Sequence, residues 1–364
     1  MKGLAFKREY KINMTIKELL TITEKRGASD LHLIVSYPPM VRVNGELIAI
    51  PNYNNLIKED IDQLIASVTT QIQLKFFYAN KELDLSIASD SAFYRVNLYY
   101  QRSTPSAAFR LIPQQIRTID ELGLPKLLHE FTKLRQGLVL MTGPTGHGKT
   151  TTQAALINSI NMEKSQHIIT IEDPIEYVFP KGKSIVSQRE LHTDTSSWRF
   201  ALRAALREDP DVVLVGEMRD LETIQATITL AETGHLVFAT LHTNTAAQSI
   251  ERVVDVFPPS QQNQARAQLA DILEGIVSQR LVLATQGGRV PATEILLATT
   301  AVRTAIRDGK THQIDNIIQT SAEVGMHLLE ISLANLVNNG TISLEVAKDW
   351  AYRPDELMRQ LKRK

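Results

Sequence analysis

Gly143, Pro144, Thr145, Gly146, His147, Gly148, Lys149 and Thr150 follow the spacing G-x-x-x-x-G-K-[ST], that of a loop built to hold phosphate. Glycine is needed because the backbone must turn its N–H groups inward and approach phosphate oxygens with no Cβ in the way. Lys149 adds a flexible point charge for the same oxygens. Thr150 offers a hydroxyl to Mg2+, and the helix that opens here, with Thr151 in its first turn, presents the positive end of its dipole to the anion. The chemistry implied is capture of a nucleoside triphosphate with Mg2+.

Phosphoryl transfer also needs a positioned water and positive charge around the γ-phosphate. The run IITIEDPIE from Ile168 to Glu176 reads as a strand that delivers carboxylates to its C-terminal edge, and one of Glu172, Asp173 and Glu176 would orient the water. DPDVVLVGE from Asp209 to Glu217 reads as a second such strand, with Glu217 suited to hold Mg2+ directly or through water. A third, GHLVFATLH from Gly234 to His242, carries His235 at one end and His242 at the other; His242 is the one expected to touch the γ-phosphate. An isolated acid at a strand end more often caps a neighbouring helix, and a lone histidine more often makes a structural hydrogen bond. Two acidic strand ends in one chain with a phosphate loop reverse that preference. Arg95, Arg102 and Arg110 are candidates to bring further positive charge across a domain or subunit interface.

These residues need elements to hold them. Residues 138–142 form a short apolar run, as a buried parallel strand does, and 151–160 read as a helix. Strand candidates at 138–142, 167–172, 212–216 and 235–241 alternate with helical patterns, the signature of a mostly parallel sheet covered on both faces. Leu221, Ile224, Ile228 and Ala231 make one apolar stripe on a helix closed by Gly234. A longer helix is expected from about Ser260 to Leu283, and beyond Ile295 the chain reads as a small helical bundle. The N-terminal part has a different character. Residues 1–13 form a polar tail, and Thr15 with Glu18 makes a capping box for a helix ending near Gly27. A strand at 30–35, an Asn44-Gly45 hairpin between Met40 and Ile50, helices at 57–68 and 70–79, and strands at 83–88, 93–101 and 106–112 complete an α+β domain. Residues 114–125, flanked by Pro113 and Pro125, read as a linker.

A chain of 364 residues, 43% of them hydrophobic, is long enough for two or three domains. Forty Lys and Arg balance forty Asp and Glu, which offers no overall attraction to nucleic acid or acidic membranes. With no cysteine, disulfides and thiolate metal sites are excluded, and a reducing compartment fits. The nine histidines show no paired metal-ligand spacing. No apolar run approaches the ~18 residues of a membrane span, and the charged start lacks a signal peptide's apolar stretch, so a cytoplasmic location is expected.

Four segments, in order, resemble the Walker A motif, Asp box, Walker B motif and His box of the secretion ATPases of type IV pili and type II secretion. They are the phosphate loop, TIEDPIE from Thr170, DPDVVLVGEMRD from Asp209 and GHLVFATLHTNTAAQSIERVVDVFP from Gly234. The similarity runs over about residues 14–350 and is greatest to the pilus retraction branch. SDLHL from Ser29 opens a short N-terminal part, there is no tetracysteine zinc motif, and Ala301, Val302, Arg303 and Arg307 in AVRTAIR resemble a motif needed for retraction.

The resemblance implies an α/β fold with a PAS-like α+β domain at 14–113, a RecA-like P-loop NTPase core at 126–295 and a small helical C-terminal subdomain at 296–364. It also implies a homo-hexameric ring that hydrolyses ATP with Mg2+, docked at the cytoplasmic face of the inner membrane on a platform protein and acting on pilin indirectly. Glu176 becomes the catalytic carboxylate, Glu217 the Walker B acid, and His235 with His242 the His-box pair. Arg95 and Arg110 match arginines that reach the nucleotide from the N-terminal domain. There are two departures. Ala92, Phe93 and Tyr94 precede Arg95 where relatives often have Gly-Arg-Phe-Arg, so one arginine is missing, and Thr304 with Ala305 replaces Asn-Leu in the retraction motif. An accessory retraction paralogue and a secretion or conjugation assembly ATPase share the same core. A nucleic-acid translocase would need a basic groove, which the balanced charge does not support.

Overall fold

The computed structural model describes residues 14–43, 45–89, 92–112 and 115–362. The expected tail at 1–13, Asn44 of the hairpin turn and Pro113 beside the linker lie outside the described residues. The chain divides between residues 114 and 115 into two compact units.

The first unit opens at the Thr15–Glu18 capping box, in which the Glu18 amide donates to the Thr15 hydroxyl (3.3 Å) and the Thr15 amide to the Glu18 carboxylate (3.4 Å). It holds α1 (Ile16–Lys25), β1 (Asp30–Leu33), β2 (Met40–Val43), β3 (Glu46–Ala49), α2 (Lys58–Val68), α3 (Gln71–Asn80), β4 (Glu82–Ala88), β5 (Phe93–Gln101) and β6 (Thr104–Ile112). The strands pair antiparallel in the order β3-β2-β1-β6-β5-β4. Alternation sets the buried face: Tyr94, Val96 and Leu98 of β5 and Phe109 of β6 join Ile61, Ile65 and Phe77 of the helices in one core.

The second unit contains α4 (Leu128–Lys133), β7 (Gly137–Thr142), α5 (Lys149–Glu163), β8 (His167–Glu172), β9 (Ile185–Glu190), α6 (Trp198–Ala205), β10 (Val212–Val215), α7 (Leu221–Glu232), β11 (Leu236–Leu241), α8 (Ala246–Asp255), α9 (Gln262–Ile272), β12 (Leu273–Leu283) and β13 (Arg289–Leu297). Its seven strands run in the order β13-β12-β7-β11-β10-β8-β9, parallel except for the β12–β13 pair. Hydrophobic clusters cover both faces, which is why β7, β10 and β11 are buried along their whole length. The helices α10 (Thr300–Arg307), α11 (Ile314–Thr320), α12 (Leu329–Asn338), α13 (Leu344–Trp350) and α14 (Pro354–Leu361) follow. Arg353 fastens them, donating to Asp315 and to Glu330 (3.2 Å), with Glu294 of β13 at 3.7 Å.

One expectation is corrected. The helix expected from 260 to 283 stops at Ile272, and Leu273–Leu283 is a central strand between β7 and β13. Within the expected linker most described residues are exposed, but Ile119 and Leu124 are buried against α4, α5 and the sheet, because apolar side chains of that size are more favourable there than in water.

The AVRTAIR segment forms α10. Val302 is buried, and Arg303 donates to the Ala270 and Asp271 carbonyls at the end of α9 (2.7 and 2.8 Å), to the Ala298 carbonyl (2.9 Å) and to Glu274 (2.8 Å). It thus satisfies carbonyls that the helix end leaves unpaired. Arg307 makes an exposed ion pair with Asp271. Thermal melts of the two variants should separate accordingly: Arg303→Ala loses about 2 kcal/mol or more, and Arg307→Ala less than about 1 kcal/mol.

Candidate functional site

In the sheet, Thr142 at the end of β7 pairs with Leu241 of β11 and with Ser278 of β12. The loop from Gly143 to Gly148 therefore leaves the sheet flanked by two parallel neighbours, in the crevice where α/β sheets bind ligands. Gly143, Gly146 and Gly148 all have positive φ. The first amide of α5 to bond back is that of Thr152, to the Gly148 carbonyl (3.0 Å). The turn before it thus offers its N–H groups to an anion, and a triphosphate fits this cradle.

Lys149 is buried, and its ammonium donates to the Gly143 and Pro144 carbonyls (2.8 and 3.0 Å). Burial holds it below the usual lysine range; Glu217 and Glu176 pull it back up, and Arg280 pushes it further down. The ends of β8 and β10 therefore deliver carboxylates within electrostatic reach of the loop's lysine. Glu217 binds Arg219 (2.8 Å) and the His242 Nε2 (3.2 Å). Burial raises its carboxyl, but those two partners hold it below the usual carboxylate range. His242 Nδ1 lies 3.3 Å from the Thr145 hydroxyl, so one imidazole joins the loop to Glu217. The helix-capping alternative for an acid after β10 is taken by Asp220, which accepts from the Thr223 amide (2.8 Å) and leaves Glu217 for the site.

Glu172 has a different environment. Burial pushes it up to about 7, against hydrogen bonds from Thr170, Gln188 and the Glu176 amide, while the Glu176 charge adds to the rise. Its Oε1 accepts from the Thr170 hydroxyl (2.6 Å) and the Gln188 amide (3.3 Å), which makes it a support for the turn carrying Glu176. Thr151 bonds Tyr177 one residue further along (2.9 Å).

His235 does not join this group. It stands before β11 at the opposite edge of the sheet, where Nδ1 meets the Leu230 carbonyl (2.9 Å) and the Thr233 hydroxyl (3.0 Å) at the end of α7. The six residues of β11, extended over roughly 20 Å, separate it from His242. Arg95 and Arg110 belong to the first unit, directly opposite each other on β5 and β6, and Arg110 is paired with Asp30 (3.0 Å). Among the described residues no cluster of three or more His, Cys, Asp or Glu is arranged to hold a metal by itself. No helix of the described residues is long and apolar enough to cross a membrane.

Sequence reasoning missed the wall behind the loop. Gln279 links the Thr152 hydroxyl (2.7 Å) to the His147 carbonyl (2.9 Å). Buried Arg280 donates to Asn244, just after His242 (2.9 Å), and to the Tyr352 hydroxyl (2.5 Å). The available signal was Gly275 followed by the β-branched pair Ile276-Val277, inside what otherwise passes for a helical pattern.

A family profile described as type II/IV secretion system protein matches residues 8–287. The chain is 46% identical over 343 residues to the type IV pilus retraction ATPase PilT of Pseudomonas aeruginosa, covering 94% of this chain and 99% of that one. It is 42% identical over 348 residues to a twitching motility protein of Neisseria gonorrhoeae, covering 95% and 93%. A crystal structure of the pilus retraction motor PilT with bound ADP matches with a TM-score of 0.87 and 45% identity, covering 95% of this chain and 99% of that chain.

Glu172 has a measurable signature. Because its native pKa of about 7 stands above the ordinary 4.5, the native state holds the proton more tightly, and the stability this gives fades as pH rises through that window. Melting temperatures of Glu172→Gln and the unsubstituted chain, compared at pH 5.5 and 8.5, should diverge in the variant's favour at the higher pH by a few degrees.

Proposed function

Because the chain belongs to the type II/IV secretion system protein family, we propose that it is an ATP-hydrolysing motor that powers type IV pilus retraction. It works as a homo-hexameric ring docked on an inner-membrane platform protein at the cytoplasmic face, and returns pilin to the membrane indirectly. The observation that carries the hydrolytic half is the His242 imidazole, which joins Glu217 after β10 to Thr145 of the phosphate loop. The retraction half is supported by near end-to-end similarity to a protein of that activity.

ATP with Mg2+, when bound, supplies the phosphoanhydride and much of the charge neutralisation. The chain's residues divide the remaining work. The loop amides and Lys149 hold the phosphates, for which Lys149 gives up its resting carbonyl partners. Thr150 and Glu217 hold the metal, Glu217 directly or through water. Glu176 orients the attacking water, and Glu172 supports it from behind. His242, bonded to both Thr145 and Glu217, connects the γ-phosphate position to the metal side of the site. Arg95 and Arg110 remain the proposed source of added positive charge, and α10, with Arg303 and Arg307, the segment that couples hydrolysis to retraction.

Purified Glu176→Gln should bind ATP as the unsubstituted chain does and hydrolyse it at least ~100-fold more slowly; near-normal turnover would move the water-positioning role to another group. In a piliated host, deleting the gene should leave cells with more surface pili and no twitching motility, and Glu176→Gln should fail to restore movement. Bald cells after deletion would instead mean that the motor assembles pili.

A further inference from the structure

Neither the motif nor the hydrolytic carboxylates account for Gln279. It is 3% exposed, on β12 directly behind the phosphate loop. Its side-chain amide is held at both ends: Oε1 accepts the Thr152 hydroxyl at 2.7 Å, and Nε2 donates to the His147 carbonyl at 2.9 Å. That orientation is the only one the partners allow, since the reverse would set the amide oxygen against a carbonyl oxygen.

We propose that Gln279 is a positioning residue that aims the phosphate loop. A trans peptide is planar, with its C=O and N–H pointing in opposite directions. Holding the His147 carbonyl toward β12 therefore turns the Gly148 N–H away from β12, into the cradle. A second contact pins the same residue: the Leu281 amide donates to His147 Nδ1 at 2.9 Å. The Leu281 N–H aimed at Nδ1 makes that nitrogen an acceptor, and burial, helped by Arg280, Arg289 and Lys149, holds the imidazole below the usual histidine range.

The motif glycines bear the imprint of this wall. A Cβ at Gly148 would stand 2.8 Å from Gln279 Nε2 and 3.4 Å from Leu281 Cδ1, and one at Gly143 would stand 2.4 Å from the Gln279 carbonyl oxygen. That carbonyl is itself fixed by Arg280 (2.8 Å). Both ends of the loop thus press on one residue, and glycine is required there for approach to β12 as well as to phosphate.

The inference rests on the loop being the nucleotide site, and its test is binding to the full-length protein. Gln279→Met keeps volume but removes both hydrogen bonds. It should raise the dissociation constant for fluorescently labelled ADP, and the KM for ATP, about tenfold or more, while saturated turnover changes less than about threefold. Without nucleotide the melting temperature should fall by a few degrees, because the His147 carbonyl and the Thr152 hydroxyl lose their partner, so affinities are compared well below both transitions. Thr152→Val, which removes one of the two holds on the amide without touching β12, should shift ADP affinity in the same direction by a smaller factor. ADP affinity of Gln279→Met within twofold of the unsubstituted chain overturns the proposal; if that variant does not fold, unchanged affinity in Thr152→Val does so. A chain that binds ADP but never hydrolyses ATP would sink the motor reading and leave this test standing.

Discussion

The site depends on the register of three parallel strands. Thr142 is paired with Leu241 on one side and Ser278 on the other, and its hydroxyl meets that of Ser278 at 2.8 Å in the sheet interior. One residue further along each strand stand Gly143, His242 and Gln279. Side chains alternate between the faces of a sheet, so a slip of one residue on either neighbour would send His242 or Gln279 to the wrong side. Burial of β7 and β11 along their whole length makes such a slip expensive, because it would exchange apolar residues between two different cores. The loop motif supplies chemistry, but its neighbours are set by this pairing.

Environment then differentiates the carboxylates. Glu172 closes β8 and Glu217 follows β10, yet burial holds one up to about 7, while Arg219 and His242 hold the other below the usual range. The first serves best as a hydrogen-bonded support and the second as a permanent anion for a cation to meet. Pairs of like groups pushed apart in this way mark a division of labour between them.

Much of this was legible in sequence, for identifiable reasons. The phosphate loop, the acids at the ends of β8 and β10, and the alternation of buried strands with helices are local patterns whose physical causes lie within a few residues. β12 was not legible, because buried Ser278, Gln279 and Arg280 interrupt its apolar residues and leave no clean period to separate strand from helix. What makes it a strand is pairing with β7, more than a hundred residues earlier. Gln279 and Arg280 were lost with it. The burial of Ile119 and Leu124 was hidden for a related reason: Pro125 and Gly123 announce turns, but whether those two side chains are covered depends on packing against α4, α5 and the sheet. The His-box histidines were legible as opposite ends of one strand; what the sequence left open was which partners each would meet there.

That separation of the two histidines has a mechanical meaning. β11 is six residues long, buried throughout, and hydrogen-bonded to β7 on one side and β10 on the other. A strand so clamped can neither stretch nor buckle on its own. His235, tied to the end of α7, and His242, tied to Thr145 and Glu217, are thus the two ends of a member of fixed length, and it behaves as a strut rather than a spring.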